Sequence, residues 1–392
     1  MPSPPRDHDG FAIRPRGPGR QLFEGSTYRY VFVHPLVEHQ DFEPSVVAWR
    51  KPVKGRGPGR LVLIKRVVLP PEQERRQRAA EEVRLASYLE HPHISRVLGL
   101  EWHQGSAYVV TEYLEGCFLE TAMEAALLKR DTLSPTFAAF VAAVVADALH
   151  FAHHRLAEGG LPLQLVHRAV SPMSIRLGLA GEVKLGDFGL AWSRLPGRLP
   201  TPPRVLRSDV AYAAPEVFRF QPLDGRADLY SLGLVLLEVL TGQYPLDPPD
   251  VRLPPGESLE VDASVRAERP AWAPVRELAA RVLRFGPEDV ERLARDVPEG
   301  LKRIVHRALR ANPEERYPTG AALRDALCDW LRGQGQPFGR ETLAAELAHL
   351  VREPPSPHEA GAFPTEQGVL PTPEQAARAR AARGRRRRRE RP

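Results

Sequence analysis

Hydrophobic positions along this chain change their period part-way. Between residues 28 and 113 they alternate or cluster in short β-branched blocks, which predicts strands. These are Tyr28-Arg29-Tyr30-Val31-Phe32-Val33, Ser45-Val46-Val47-Ala48-Trp49, Arg60 to Leu69, Ile94 to Trp102 and Ser106 to Tyr113. Lys51 to Gly59, with glycine and proline near its end, predicts a hairpin turn between the second and third. Residues 71–90 interrupt the strands with a charged helix carrying Ala79, Val83, Leu85, Ala86 and Leu89 on one side. From 135 onward the period is helical, over 135–155, 224–241, 274–284, 287–295, 299–310, 319–332 and 340–352. A β-rich half followed by a helical half is an α+β arrangement.

Both ends lack periodicity. Residues 1–25 are rich in proline, glycine and arginine and read as a flexible leader, without the apolar core of a secretory signal. Residues 353–392 read as a disordered tail. The most apolar stretch, Phe137 to Leu149, is shorter than the ~18 residues of a membrane helix, which predicts no span.

Composition adds three points. At 392 residues and 42% hydrophobic, the chain can bury a large core. Cys117 and Cys328 are its only cysteines and lie far apart, so no disulfide framework is expected and the cytoplasm is the expected compartment. The net charge of +6 belongs to the tail, because residues 376–392 alone hold nine arginines against one glutamate. Such a tail suits nucleic acid or an acidic partner through counterion release, although no aromatic residues are interleaved to stack on bases.

The candidate chemistry lies in a series of motifs. His167-Arg168-Ala169-Val170-Ser171-Pro172-Met173-Ser174 is followed by Asp187-Phe188-Gly189, after the short strand Glu182 to Gly186. Upstream, Leu61-Val62-Leu63-Ile64-Lys65 ends on a lysine, and Glu82 precedes His91-Pro92-His93-Ile94. Tyr108 to Gly116 forms a strand and exit, and Ala213-Ala214-Pro215-Glu216, Asp228 and Arg316 follow in the helical half. In this order and spacing, over residues 28–335, the set resembles the eukaryotic-like, bacterial-type Ser/Thr protein kinases.

That resemblance implies a two-lobed fold with a small β-rich N-lobe, about 26–115, and a larger helical C-lobe, about 116–335. A C-terminal helix over 336–352 and the tail would follow. Lys65 would hold the α- and β-phosphates, with Glu82 as its partner. Thr111 would be the gatekeeper, and the backbone from Glu112 to Leu114 would meet adenine. Asp187 would chelate Mg²⁺. Glu216 and Arg316 would form a buried pair, Asp228 would clamp the catalytic-loop backbone, and His167 and Arg168 would open that loop.

Three departures fall at the chemistry. The segment His34 to Pro44, where the family places a glycine-rich phosphate loop, has no glycine and carries Glu38, Asp41 and Glu43. Only glycine lets a backbone approach phosphates so closely, and three carboxylates repel them. Ala169 replaces the base aspartate, a loss of about 10²–10⁴ in rate. Ser174 replaces the asparagine that would hold a second metal. Together these point to a pseudokinase, a scaffold or allosteric partner in phosphosignalling whose protein partners include an active kinase as a candidate. ATP with Mg²⁺ would bind weakly or not at all. Two alternatives stay open: an active Ser/Thr kinase with unorthodox loops, and a nucleic-acid-associated adaptor working through the arginine-rich tail.

Overall fold

The computed structural model describes residues 21–37, 45–55, 57–67, 81, 83–129, 132–188, 191–194, 205–206, 210–246, 260–261 and 275–352. They belong to two compact units, one over 1–90 and 95–113 and one over 91–94 and 114–392.

The first unit is a six-stranded antiparallel sheet. Its strands are β1 (Gln21–Glu24), β2 (Tyr28–Val37), β3 (Ser45–Pro52), β4 (Arg60–Val67), β5 (Val97–His103) and β6 (Ser106–Glu112). Their spatial order is β1-β2-β3-β4-β6-β5. The core gathers Leu22, Phe23, Tyr30, Val46, Ala48, Val62, Ile64, Tyr108 and Val110 on one side. That side follows from strand alternation, which sends every second side chain to the same face. The Tyr30 hydroxyl escapes burial unpaired by donating to Glu101 at 2.9 Å. The β3–β4 hairpin forms where expected, and Gly55 takes φ +93° inside it, a conformation that side chains disfavour.

Several boundaries differ from expectation. Gln21–Glu24 is a sheet strand and no part of a flexible leader, because Leu22 and Phe23 are buried in the core. The alternation of four residues was too short to register. β2 runs on through His34–Val37, pairing Val37 with Ser45, so the glycine-free connection is 38–44 and lies outside the described residues. β5 begins at Val97 rather than Ile94, because Ile94 makes an isolated bridge to Leu185 in the second unit. The first unit ends at Tyr113. Of the expected helix 71–90, residues 83–86 are helical and most of the rest is outside the described residues.

The second unit has a three-stranded sheet, β7 (Gly116–Phe118), β8 (Ile175–Gly178) and β9 (Val183–Leu185), in that order. Its helices include α1 (Leu119–Leu128), α2 (Pro135–His153), α3 (Pro215–Phe218), α4 (Gly225–Thr241), α5 (Val275–Arg284) and α6 (Pro287–Leu293). α7 (Glu299–Ala308), α8 (Gly320–Arg332) and α9 (Arg340–Arg352) complete the described set. α2 starts on a Ser134 cap that accepts from the Phe137 N–H, with Pro135 at the first helical position. It packs on α4 and α8. At 19 residues α2 is long and apolar enough to cross a membrane by length and composition, which corrects the expectation that no segment is. In this fold its apolar faces are used in the core, with Phe137, Val145 and Leu149 fully buried. α9 lies against α1 and belongs to this unit, with Leu343, Leu347 and Leu350 buried and Glu346 accepting from both Ser134 N–H and its hydroxyl at 2.8 Å.

Candidate functional site

In the first unit, register decides which side chains share a face. Lys65 stands opposite Val109 and Leu63 opposite Thr111. Lys65 and Thr111 are therefore on one face of the sheet, the face turned away from the Val62, Ile64, Tyr108 and Val110 core. Glu112 is anchored within its own unit. Its N–H donates to the Arg96 carbonyl at 2.9 Å, and its carboxylate accepts from the Arg96 N–H at 3.0 Å. Glu82, expected as the partner of Lys65, is outside the described residues.

In the second unit, the loop 167–174 is held by one carboxylate. Asp228 stands in the first turn of α4, which begins on an Asp224 cap. Its Oδ2 accepts from the His167 N–H at 2.7 Å and from His153 Nε2 at 2.8 Å. Its Oδ1 accepts from the Arg168 N–H at 2.9 Å. Burial pushes the Asp228 pKa up, but the hydrogen bond and charge of His153 and the hydrogen bond from the Arg168 N–H outweigh it. The net effect holds the carboxyl below the ordinary carboxylate range. His153 was not legible as a site residue. It reaches Asp228 across Gly225, where any side chain would collide with its ring.

His167 is fully buried. Its Nε2 faces the Gly186 carbonyl at 2.7 Å and its Nδ1 accepts from the Ala169 N–H at 3.1 Å. That pattern assigns a neutral ring with the proton on Nε2. Burial, the largest influence, lowers its pKa despite the neighbouring carboxylates. The Phe188 ring meets His167 edge-on, centroids 4.4 Å apart. Val166 and Trp192 exchange backbone hydrogen bonds of 2.8 and 2.7 Å, tying the start of the loop to the chain after Asp187.

Arg168 and Asp187 both adopt left-handed backbone, at φ +68° and +61°. Such conformations in non-glycine residues cost free energy and cluster at functional sites. The two positions where the resemblance expects a base and a metal ligand carry alanine and serine. Ala169 is a nearly buried methyl group. Ser174 is also buried, and its hydroxyl turns back into its own loop. It accepts from the Ser171 N–H at 3.0 Å and donates to the Ser171 carbonyl at 2.9 Å. Asp187 remains as an anionic oxygen suited to a hard cation.

Glu216 and Arg316 meet as expected, in a two-pronged pair of 2.6 and 2.7 Å. The other guanidinium N–H groups go to the carbonyls of Arg310, Arg226 and Ala311. Arg176 also escaped notice in the sequence, although a cation between Ile175 and Leu177 in a short apolar strand is itself a signal. It is buried and reaches the Leu114 carbonyl at 2.5 Å.

Comparison with known proteins agrees with this layout. A model of the protein kinase domain matches residues 51–327. The chain is 34% identical over 269 residues to a tyrosine-protein kinase, MasK, of Myxococcus xanthus, covering 68% of this chain and 38% of that protein. It is 30% identical over 301 residues to the serine/threonine-protein kinase PknB of Mycolicibacterium smegmatis, covering 76% of this chain and 42% of that protein. The chain thus spans about two-fifths of the length of these curated relatives. A double-mutant form of the Mycobacterium tuberculosis PknI kinase domain has a similar fold, with TM-score 0.51 and 22% identity, covering 79% of this chain and 98% of that one.

Proposed function

Because this chain belongs to the protein kinase domain family, matched over residues 51–327, we propose that it is a pseudokinase: a kinase-shaped protein that recognises protein partners in phosphosignalling without transferring phosphate. One observation carries the reading. The catalytic-loop frame is complete, from Asp228 through His167 to Phe188, and it presents the Ala169 methyl where a base would stand. A methyl group neither orients nor deprotonates an attacking hydroxyl. Ser174 supports the same reading, since its hydroxyl is engaged by Ser171 instead of facing a metal.

Lys65 and Asp187 fit residual contact with ATP and Mg²⁺, through phosphate and metal respectively, and affinity would be low. The two free cysteines suit a reducing cytoplasm. The partner is a protein, an active kinase of the same family being the first candidate.

The test is autophosphorylation and phosphorylation of a generic basic protein, with labelled ATP and either Mg²⁺ or Mn²⁺. Incorporation should stay at the level of a Lys65→Ala control. Robust incorporation by the wild-type chain that disappears in Lys65→Ala would sink the proposal in favour of an active kinase.

A further inference from the structure

Helix α9 lies beyond residues 51–327, the part of the chain that matches the protein kinase domain, yet it is docked on its unit. Leu343, Leu347 and Leu350 recur at helical spacing, so one stripe of α9 is apolar and buried. Three polar ties supplement that stripe. Arg340 meets Glu182 at 2.9 Å, and the Lys129 ammonium donates to the His349 carbonyl at 2.8 Å. Both lie at the surface, where such contacts contribute little. The third tie is central and half-buried. Glu346 Oε1 accepts from the Ser134 N–H and Oε2 from the Ser134 hydroxyl, each at 2.8 Å. The same hydroxyl oxygen accepts from the Phe137 N–H at 3.0 Å, which caps α2, and lies 3.1 Å from the Thr136 hydroxyl. One oxygen therefore serves a core helix as acceptor and a peripheral helix as donor.

We propose that Ser134 is a phosphorylation site whose modification releases α9 and leaves α2 capped. Esterifying the hydroxyl removes the proton that Glu346 accepts and sets about −1.5 to −2 charges against that carboxylate. The phosphoryl oxygens can still accept from the Phe137 N–H, and negative charge is favourable at a helix N-terminus. The modification therefore acts with opposite sign on the two helices. Ser134 is half-exposed in the non-helical link between α1 and α2, with Thr132 and Pro135 exposed on either side. While α9 is docked, Glu346 engages the hydroxyl. Transfer then takes place on chains in which α9 has opened, and the phosphoryl group prevents its return. In that step the Ser134 oxygen bonds to the γ-phosphorus of ATP held by a partner kinase. The bond to the β-phosphate oxygen breaks, ADP leaves, and the hydroxyl proton passes to the partner's base. The partner kinase as donor rests on the function proposed above; the charge switch at Ser134 does not.

The test uses the full chain in two arms. Hydrogen exchange read by mass spectrometry compares wild type, Ser134→Asp and the double variant Ser134→Asp, Glu346→Lys. Aspartate still caps α2 but repels Glu346. Amides of 340–352 should exchange about tenfold or more faster in Ser134→Asp, with those of 135–153 unchanged. The double variant, with opposite charges facing each other, should return 340–352 towards the wild-type rate. In the second arm, wild type and Glu346→Ala are incubated with ATP, Mg²⁺ and a proline-directed Ser/Thr kinase. Glu346→Ala leaves the α2 cap in place and serves if the double variant does not fold. It should gain phosphate on Ser134 faster than wild type, read by mass spectrometry. Wild-type exchange at 340–352 in Ser134→Asp overturns the proposal, as does equal acceleration of both helices or a folded double variant without recovery. Absence of phosphate from Ser134 in both proteins overturns it too. Transfer by the wild-type chain without added kinase would count against the pseudokinase reading alone.

Discussion

Two buried polar clusters in the helical unit differ in what they have kept. Around Arg316, Glu216 and three backbone carbonyls supply an acceptor for every direction of the guanidinium. Around Ala169, the supports are equally complete, with Asp228, His153, His167 and Phe188 in register. What the second cluster lacks are the two side chains whose only work would be chemistry. On the pseudokinase reading proposed above, the difference is that shape and reaction separate in this fold. Groups that satisfy buried backbone cannot be removed without destabilising the unit, whereas a base facing substrate can be replaced by a methyl group at little structural cost.

The largest effect should come from breaking the Glu216 pair. Arg316→Ala or Glu216→Ala leaves one buried charge uncompensated and should cost about 3–5 kcal/mol in urea unfolding. A loss below about 1 kcal/mol would mean the pair behaves like a surface bridge and that the comparison is misdrawn.

Next is Ser174→Ala. If the hydroxyl now belongs to the frame, its loss removes the acceptor of the buried Ser171 N–H, while the Ser171 carbonyl keeps the Ser174 N–H at 3.0 Å. Stability should fall by about 1–3 kcal/mol, with phosphoryl transfer unchanged at background. An unchanged midpoint would return Ser174 to the status of a vacant metal-ligand position.

A smaller effect should appear with pH. The folded pKa of His167 is lowered below 6.5, so its contribution is complete above about pH 6.5 and is lost as pH falls from there towards the folded value. The unfolded chain takes a proton that the buried ring refuses. The slope due to one such group is at most about 1.4 kcal/mol per pH unit. His91 and His150 shift in the same direction through burial and add to it. His167→Gln should flatten the slope between pH 6.5 and 5, measured by denaturant titration at each pH. Asp228 acts in a separate window. Its lowered pKa contributes stability above about pH 4 that disappears as the pH falls below its ordinary value of 3.8. A slope unchanged in His167→Gln would place the acid sensitivity elsewhere.

The smallest expected effect is none. Ala169→Asp should remain inactive in the labelled-ATP assay, because Ser174 still faces inward and residues 38–44 still lack glycine. Full activity from that single change would show that the frame alone was waiting for its base.

Much of the fold was legible because periodicity is local. Alternation over Arg60 to Val67 and the long apolar helix at Pro135–His153 announce themselves within a few residues. β1 was not, because four residues beside glycines and prolines carry too little pattern, and only the pairing Phe23 with Tyr30 reveals it. At the site, spacing identified Asp228, Glu216, Arg316 and the altered loop. His153 and Arg176 were missed because each is defined by a partner far away in the chain, 75 and 62 residues distant respectively.

The chain alone determined the α+β order, the family, and the identity of the substituted positions, since all of these are properties of residue type and spacing. Tertiary structure decided how those residues are used. Sequence states that Ser174 has a hydroxyl; only folding turns it onto Ser171. Sequence places Arg176 in a buried strand; only the β7–β8 register sets it over Phe118 and against the Leu114 carbonyl. The physical reason is that hydrogen bonds and ring stacking depend on direction over a few ångströms, and direction at that scale is set by contacts between segments that are remote in the chain.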